Sequence, residues 1–143
     1  MLEITPGTTL PGGSYALGAQ RHELLIGALG GNAPADGSAH PLAAWLVAWG
    51  GCGVSIGDLF AAAGVPMEDG PMLGSCDLEL LRPIEIETEY AVSGEIVALQ
   101  EKTGRRIGRF DVMTMRMEVS EPGGDLVATC TPSVILPRPG GAA

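Results

Sequence analysis

The sequence predicts an α+β domain in which an antiparallel sheet wraps around one long apolar helix. Three observations predict it. The stretch Ala39–Gly64, AHPLAAWLVAWGGCGVSIGDLFAAAG, is the longest apolar run of the chain, interrupted by Asp58 and by Gly50, Gly51, Gly53 and Gly57. Leu42, Trp45, Leu46 and Trp49 recur in it at helical spacing, and Ile56, Leu59, Phe60 and Ala63 repeat the pattern beyond the glycines. Everything after it reads as period-two strands separated by Pro- and Gly-rich turns. Because Ala43, Ala44, Val47 and Ala48 on the flanks are apolar too, the helix has to be covered on nearly every side. A membrane span is the alternative. The glycines and Asp58 inside the run argue against it, as does the lack of basic or aromatic belts around it.

Composition narrows the function classes. A chain of 143 residues suits one domain, able to bury about two-thirds of its unfolded surface. Acidic residues outnumber basic ones by 17 to 8, a formal charge of −9, which works against nucleic acid or an anionic membrane as partner. No leader pattern directs export, so the cytoplasm is the expected compartment. Cys52, Cys76 and Cys130 are far apart, without a C-x-x-C pairing, and read as buried thiols rather than a disulfide framework or a metal site.

Along the chain, residues 1–13 are too rich in Pro, Gly and Thr for a firm element, although Leu2–Ile4 suits an edge strand. Ser14–Ala19 reads as a short strand and Gln20–Gly30 as an amphipathic helical turn or two stopped at Gly30-Gly31. His22 falls in that helix, on the side opposite Leu24, Leu25 and Leu29, and reads as solvated. Turn formers from Gly31 to Ser38 lead into the central helix. Its Gly50-Gly51-Cys52-Gly53 interruption reads first as a close-packed kink and second as a place where an acyl chain approaches.

Beyond a second turn-rich connection, Val65–Gly74, Cys76–Leu81 alternates Asp77 and Glu79 against Cys76, Leu78 and Leu80, and Arg82-Pro83 stops it. Thr88–Leu99 puts Tyr90, Val92, Ile96 and Ala98 on one face, with a bulge or bend expected at Gly94. Lys102–Arg105 turns into Arg109–Val119, whose Met113, Met115, Met117 and Val119 form a core stripe. Leu126–Leu136 closes the sheet, with Pro132 marking an edge or a bulge and Pro137-Arg138-Pro139 ending it. The Gly140–Ala143 tail is expected to fray. Hairpin-length turns would join these four strands into an antiparallel meander.

The order of short strand, glycine-rich loop, buried helix and antiparallel strands resembles the hot-dog fold, and within it the MaoC-like hydratases and dehydratases. AHPLAAWLVAWGG entering the helix, LLRPIEIETEYAVSGEIV and the closing VATCTPSVILPR carry the resemblance, which covers residues 14–138. Hydratases of that family have a Gly-Asp-x-Asn-Pro-x-His loop before the helix, whose Asp and His handle water and a proton. Here the loop reads Gly30-Gly31-Asn32-Ala33-Pro34-Ala35-Asp36, then Gly37-Ser38-Ala39-His40, with a glycine where the aspartate would stand. The resemblance implies an acyl-thioester hydratase or dehydratase, with coenzyme A or an acyl carrier entering as part of the substrate and no separate cofactor. One meander would leave a strand edge and apolar helix surface exposed, so a homodimer, or a heterodimer with another hot-dog chain, is expected.

The chemistry needs a base to activate water, an acid for the α-carbon and donors for an enolate-like oxygen. His40 and Asp36 are the candidate catalytic pair, Asn32 a loop contact, and the amides of Leu42 and Ala43 the candidate donors, since Pro41 at the helix start has no N–H. Arg105 and Arg106, in a basic cluster with Lys102 and Arg109, are the candidate phosphate contacts for a nucleotide-bearing carrier. Each has a structural alternative: a turn at Asp36-Gly37-Ser38, a hydrogen-bonded His40 at the helix start, and a charged hairpin that keeps a sheet edge from pairing. Two further readings remain, a thioesterase using Asp58 and a non-catalytic subunit that completes a partner's site.

Overall fold

The computed structural model describes residues 2–138, so the expected fraying of Gly140–Ala143 lies outside them. A short strand β1 (Gly13–Ala16) leads into α1 (Ala19–Leu29), and the central apolar run forms α2 (Ala43–Gly51) and α3 (Ile56–Ala62). A 3-10 turn at Met67–Asp69 precedes β2 (Met72–Leu80), β3 (Glu89–Gly104), β4 (Gly108–Ser120) and β5 (Leu126–Pro137). All pairings are antiparallel, in the order β1-β3-β4-β5-β2.

The meander is therefore confined to β3, β4 and β5. β2 pairs with β5 at the far edge rather than with its neighbour in sequence, β3. The connection 81–88 contains Pro83 and is too long for a tight hairpin, so the chain crosses from the β2 edge past β5 and β4 to the place beside β1 before β3 starts. Pro132 consequently lies in an interior strand, buried opposite Cys76. The ladder to β4 resumes on either side, at Thr114↔Ser133 and Met117↔Cys130, which is how an interior strand tolerates a residue with no N–H. Leu2–Ile4 forms no strand; residues 7–10 instead hydrogen-bond along β3, Leu10 N–H to the Gly94 carbonyl at 2.8 Å. Gly94 is where that segment crosses, a Cβ there falling 2.9 Å from Leu10 Cδ1. The bulge of β3 comes at Val97. One extra residue inverts the alternation, so Leu99, not Ala98, packs against the core.

α2 lies against the concave face of the sheet, with Ala43, Ala44, Val47 and Ala48 fully buried beside Met113, Met115, Met117 and Val119. The α2–α3 bend of 59° falls at the glycine cluster. Gly12 donates its N–H to the Cys52 carbonyl at 2.8 Å, and a Cβ on Gly50 would stand 2.5 Å from the Tyr15 ring. The glycines thus serve close approach of β1, and α3 restarts on a Ser55 cap that accepts the Asp58 N–H at 3.1 Å. Among the described residues no single helix is long and apolar enough to cross a membrane. At the other end of the helix pair, Arg138 donates to the Ala63 carbonyl at 2.6 Å and pairs with Asp111 at 2.9 Å. Cys52 and Cys130 are buried; Cys76 is half-buried, its sulfur 3.7 Å from that of Cys130.

Candidate functional site

The loop from Gly31 to Leu42 is anchored by two successive amides. Ala39 donates its N–H to the Ile84 carbonyl at 2.8 Å, and His40 donates its N–H to His22 Nε2 at 3.0 Å. His40 is half-buried, and its own Nδ1 accepts the Leu42 N–H at 3.0 Å. Read from this network, Nδ1 is the unprotonated nitrogen and the proton sits on Nε2. The Ala43 N–H goes to the His40 carbonyl at 2.8 Å, and the amides of Ala44 and Trp45 go to the Pro41 and Leu42 carbonyls. The two amides expected as donors to a ligand, those of Leu42 and Ala43, therefore both point at His40.

Asp36 and His40 share no hydrogen bond. The Asp36 carboxylate accepts the Ser38 hydroxyl at 2.6 Å and the Ser38 N–H at 3.0 Å, closing an Asx turn. Those bonds, the hydroxyl's first, hold its pKa below the ordinary carboxylate value. Asp36 faces a polar cleft of about 360 Å³ with Arg82, Tyr90 and Glu121. Arg82 is itself held by Glu121 at 3.0 Å and Asp125 at 3.5 Å. Asn32 is exposed on the same loop.

A second cavity, of about 300 Å³, is almost wholly apolar. Leu25 of α1, Leu42 and Trp45 at the start of α2, and Leu73, Cys76 and Leu78 of the edge strand β2 line it. His40 does not line it and is linked to it through Leu42, whose amide is bound to the imidazole. Trp45 packs on Trp49 with ring centroids 5.6 Å apart, stiffening that wall. Arg105 and Arg106 are exposed at the β3–β4 hairpin. That turn stands beyond Gly104, about 46 Å of strand at roughly 3.3 Å per residue from Tyr90, which lines the cleft with Asp36 and Ser38, so the pair lies at the other end of the sheet from the loop that carries His40.

Two residues with structural claims on this site were not expected there. His22 is buried, 4% exposed, whereas Leu24 is 69% exposed. The inward side of α1 is His22, Leu25 and Ile26 at i, i+3 and i+4, a spacing visible in the sequence and masked by grouping Leu25 with Leu24 and Leu29, which are both exposed. Glu87 adopts φ 63°, and its Oε1 accepts the Ala19 N–H at 2.9 Å. It supplies the cap that Gly18, which has no side chain, cannot give α1.

A long apolar helix pair in the hollow of a five-stranded antiparallel sheet, entered through a turn-rich loop, is the hot-dog fold, and the protein has that fold. The sequence matches no protein-family model and no curated protein; its likeness is to solved structures. It is similar over 94% of its length to 92% of the monoamine oxidase regulatory protein from Archaeoglobus fulgius, at 18% identity and a TM-score of 0.68. It is similar over 93% of its length to 97% of a chain of the HadBC (3R-hydroxyacyl-ACP dehydratase) complex from Mycobacterium tuberculosis, at 15% identity and a TM-score of 0.64. The MaoC-like dehydratase from Rhodospirillum rubrum aligns over 94% of both chains, at 16% identity and a TM-score of 0.53.

Proposed function

We propose that the protein is an acyl-thioester hydratase or dehydratase acting at the α,β double bond of a bulky apolar acyl group carried on coenzyme A or an acyl carrier protein. The observation that supports it most is His40, tied by Leu42 to the rim of the apolar cavity with its Nε2–H as the ring's remaining polar group. In hydration, the water oxygen bonds to the β carbon, a proton goes to the α carbon, and negative charge builds on the thioester oxygen in between. An Nε2–H donor near that oxygen lowers the barrier, and the same proton can be delivered to carbon once Nδ1 releases the Leu42 N–H and takes up the proton that water loses, so that the ring changes tautomer and stays neutral. Asp36 activates water in this reading only after its carboxylate exchanges Ser38 for the water. The names of two similar structures, HadBC dehydratase and the MaoC-like dehydratase, agree with this chemistry.

The partner in this reading is a second hot-dog chain, as in the HadBC complex, in the cytoplasm. β1 and β2 are both edges. Met72 and Leu73 on β2, and Leu24 and Leu29 on α1, are exposed apolar side chains of the two elements that supply Leu73 and Leu25 to the cavity. If Arg105 and Arg106 hold coenzyme A phosphates, the thioester belongs to the partner's site, since both stand far from His40 of their own chain. A second reading, a non-catalytic subunit, is favoured by Gly31 at the place of the family's aspartate. The thioesterase reading has behind it a similar structure named as a hypothetical thioesterase with coenzyme A from Streptococcus pneumoniae, but its candidate carboxylate, Asp58, is exposed on α3, past the bend.

Turnover of an apolar enoyl-CoA separates these readings. His40→Ala should lower it by about 10²-fold to 10⁴-fold, and His40→Gln, which keeps a hydrogen bond but carries no exchangeable proton near neutral pH, should be equally slow. An active Gln variant would make His40 structural. Wild-type protein that turns over only when mixed with another hot-dog chain would establish the subunit reading instead.

A further inference from the structure

We propose that His22 is the positioning residue of this site, a buried neutral imidazole whose Nε2 takes the backbone N–H of His40 and thereby fixes where the His40 ring points. The claim that this matters for turnover rests on the reading of His40 above; the hydrogen bond itself does not. A buried imidazole is costly unless it is satisfied, and the bond His22 accepts is the 3.0 Å one from His40. Accepting at Nε2 places the His22 proton on Nδ1.

His40 precedes a proline, which disfavours helical backbone there, and its N–H has no place in the helical ladder of α2. His22 supplies the partner. Three bonds then hold His40: its N–H to His22 Nε2, its Nδ1 from the Leu42 N–H, and its carbonyl from the Ala43 N–H. With backbone and ring both fixed, the Nε2–H is aimed without help from a ligand, the kind of preorganisation that catalysis by a donor requires. The same bond docks α1, whose Leu25 is one wall of the apolar cavity, and α1 is in turn capped by Glu87. His22 therefore acts on substrate only through His40 and through the seat of α1.

The chain has two histidines, so long-range 1H–15N correlation of the wild-type protein gives two ring patterns, assigned by comparison with His40→Gln. The expected result, at a pH where both rings are neutral, is an Nδ1–H tautomer for His22 and an Nε2–H tautomer for His40. An Nε2–H tautomer at His22 overturns the proposal with no variant needed. His22→Leu removes the acceptor: the His40 amide should lose its protection from hydrogen exchange, its ring should no longer show one tautomer, and kcat should fall roughly tenfold with KM little changed. His22→Gln, whose Oε1 can stand where Nε2 stood, should restore the amide protection and most of kcat. An unchanged His40 amide and ring in His22→Leu overturns the proposal. Should His40→Gln prove active, the functional reading fails while the tautomers and amide exchange still decide the role of His22.

Discussion

The sharpest stability prediction concerns Gly53, which the sequence marks as one of four interrupting glycines and the structure places against the backbone of residues 11 and 12. Its φ of +88° is left-handed, a conformation that costs an alanine about 1–2 kcal/mol. A Cβ there would lie 2.7 Å from the Gly12 nitrogen and 2.8 Å from Pro11 Cβ, with the Gly12 carbonyl oxygen nearest of all. Backbone cannot rotate aside as a side chain can. Relief requires moving the 11–12 segment, which breaks the 2.8 Å bond from Gly12 N–H to the Cys52 carbonyl, worth about 1 kcal/mol. Overpacking of this kind costs about 1–3 kcal/mol. Since these costs overlap, Gly53→Ala should destabilise by about 3 kcal/mol, lowering Tm by roughly 10 °C for a domain of this size. Gly57→Ala is the internal control: a Cβ there meets nothing within 4 Å, and no left-handed φ is present. It should stabilise by about 0.5 kcal/mol through helix propensity. Urea unfolding with equal m-values for the three proteins is the measurement. A Gly53→Ala protein within about 0.5 kcal/mol of wild type would refute the close approach of β1 to the helix bend.

The remaining predictions concern the assembly and the ligand. Sedimentation at micromolar concentration should give at least a dimer, or a heterodimer once the partner chain is present, and Leu73→Lys on the exposed β2 edge should shift it toward monomer. Reversing Arg105 and Arg106 to Glu should weaken acyl-CoA binding by tenfold or more, as expected for losing charge-assisted contacts, while leaving Tm within about 2 °C because both side chains are exposed. Equal binding by that double variant would assign the pair to surface charge.

Much of the fold was legible because its signals are local. The methionine stripe at Met113, Met115 and Met117 has period two and is buried as expected. The glycine cluster at 50–53 bends the central helix, and the Asp36-Gly37-Ser38 run is a turn. What the sequence hid is non-local. Nothing in residues 81–88 says that β2 will pair with β5, and the Val97 bulge has no glycine to announce it. At the site, His40 could be picked out by its place before Pro41. Its partner His22 could not, because the contact joins two elements 18 positions apart and polarity alone suggests a solvated ring. The Leu42 and Ala43 amides were misjudged for a related reason: a histidine directly before the helix can itself occupy the donors it seems to leave open.

What one chain brings to the proposed chemistry follows from these bonds. His40 has Nδ1 occupied, so it presents an N–H and can support charge on a thioester oxygen. Asp36 is a weaker base than an ordinary aspartate, because its Ser38 bonds stabilise the charged form. Among the described residues no carboxylate is hydrogen-bonded to either histidine. Hydration also needs a base near the β carbon, and a carboxylate serves best there when burial raises its pKa toward neutrality. The cavity wall formed by Leu73, Cys76 and Leu78 belongs to an edge strand, so a chain that pairs with β2 covers the cavity and can place such a carboxylate in apolar surroundings. A second copy brings the same Gly31 and the same Asp36. A different hot-dog chain can bring the aspartate that Gly31 lacks. Turnover by the purified homodimer would therefore require Asp36 to leave Ser38, and Ser38→Ala should then raise rather than lower activity; silence of the homodimer with recovery in a mixed complex would move the base to the partner and leave His40 as this chain's contribution.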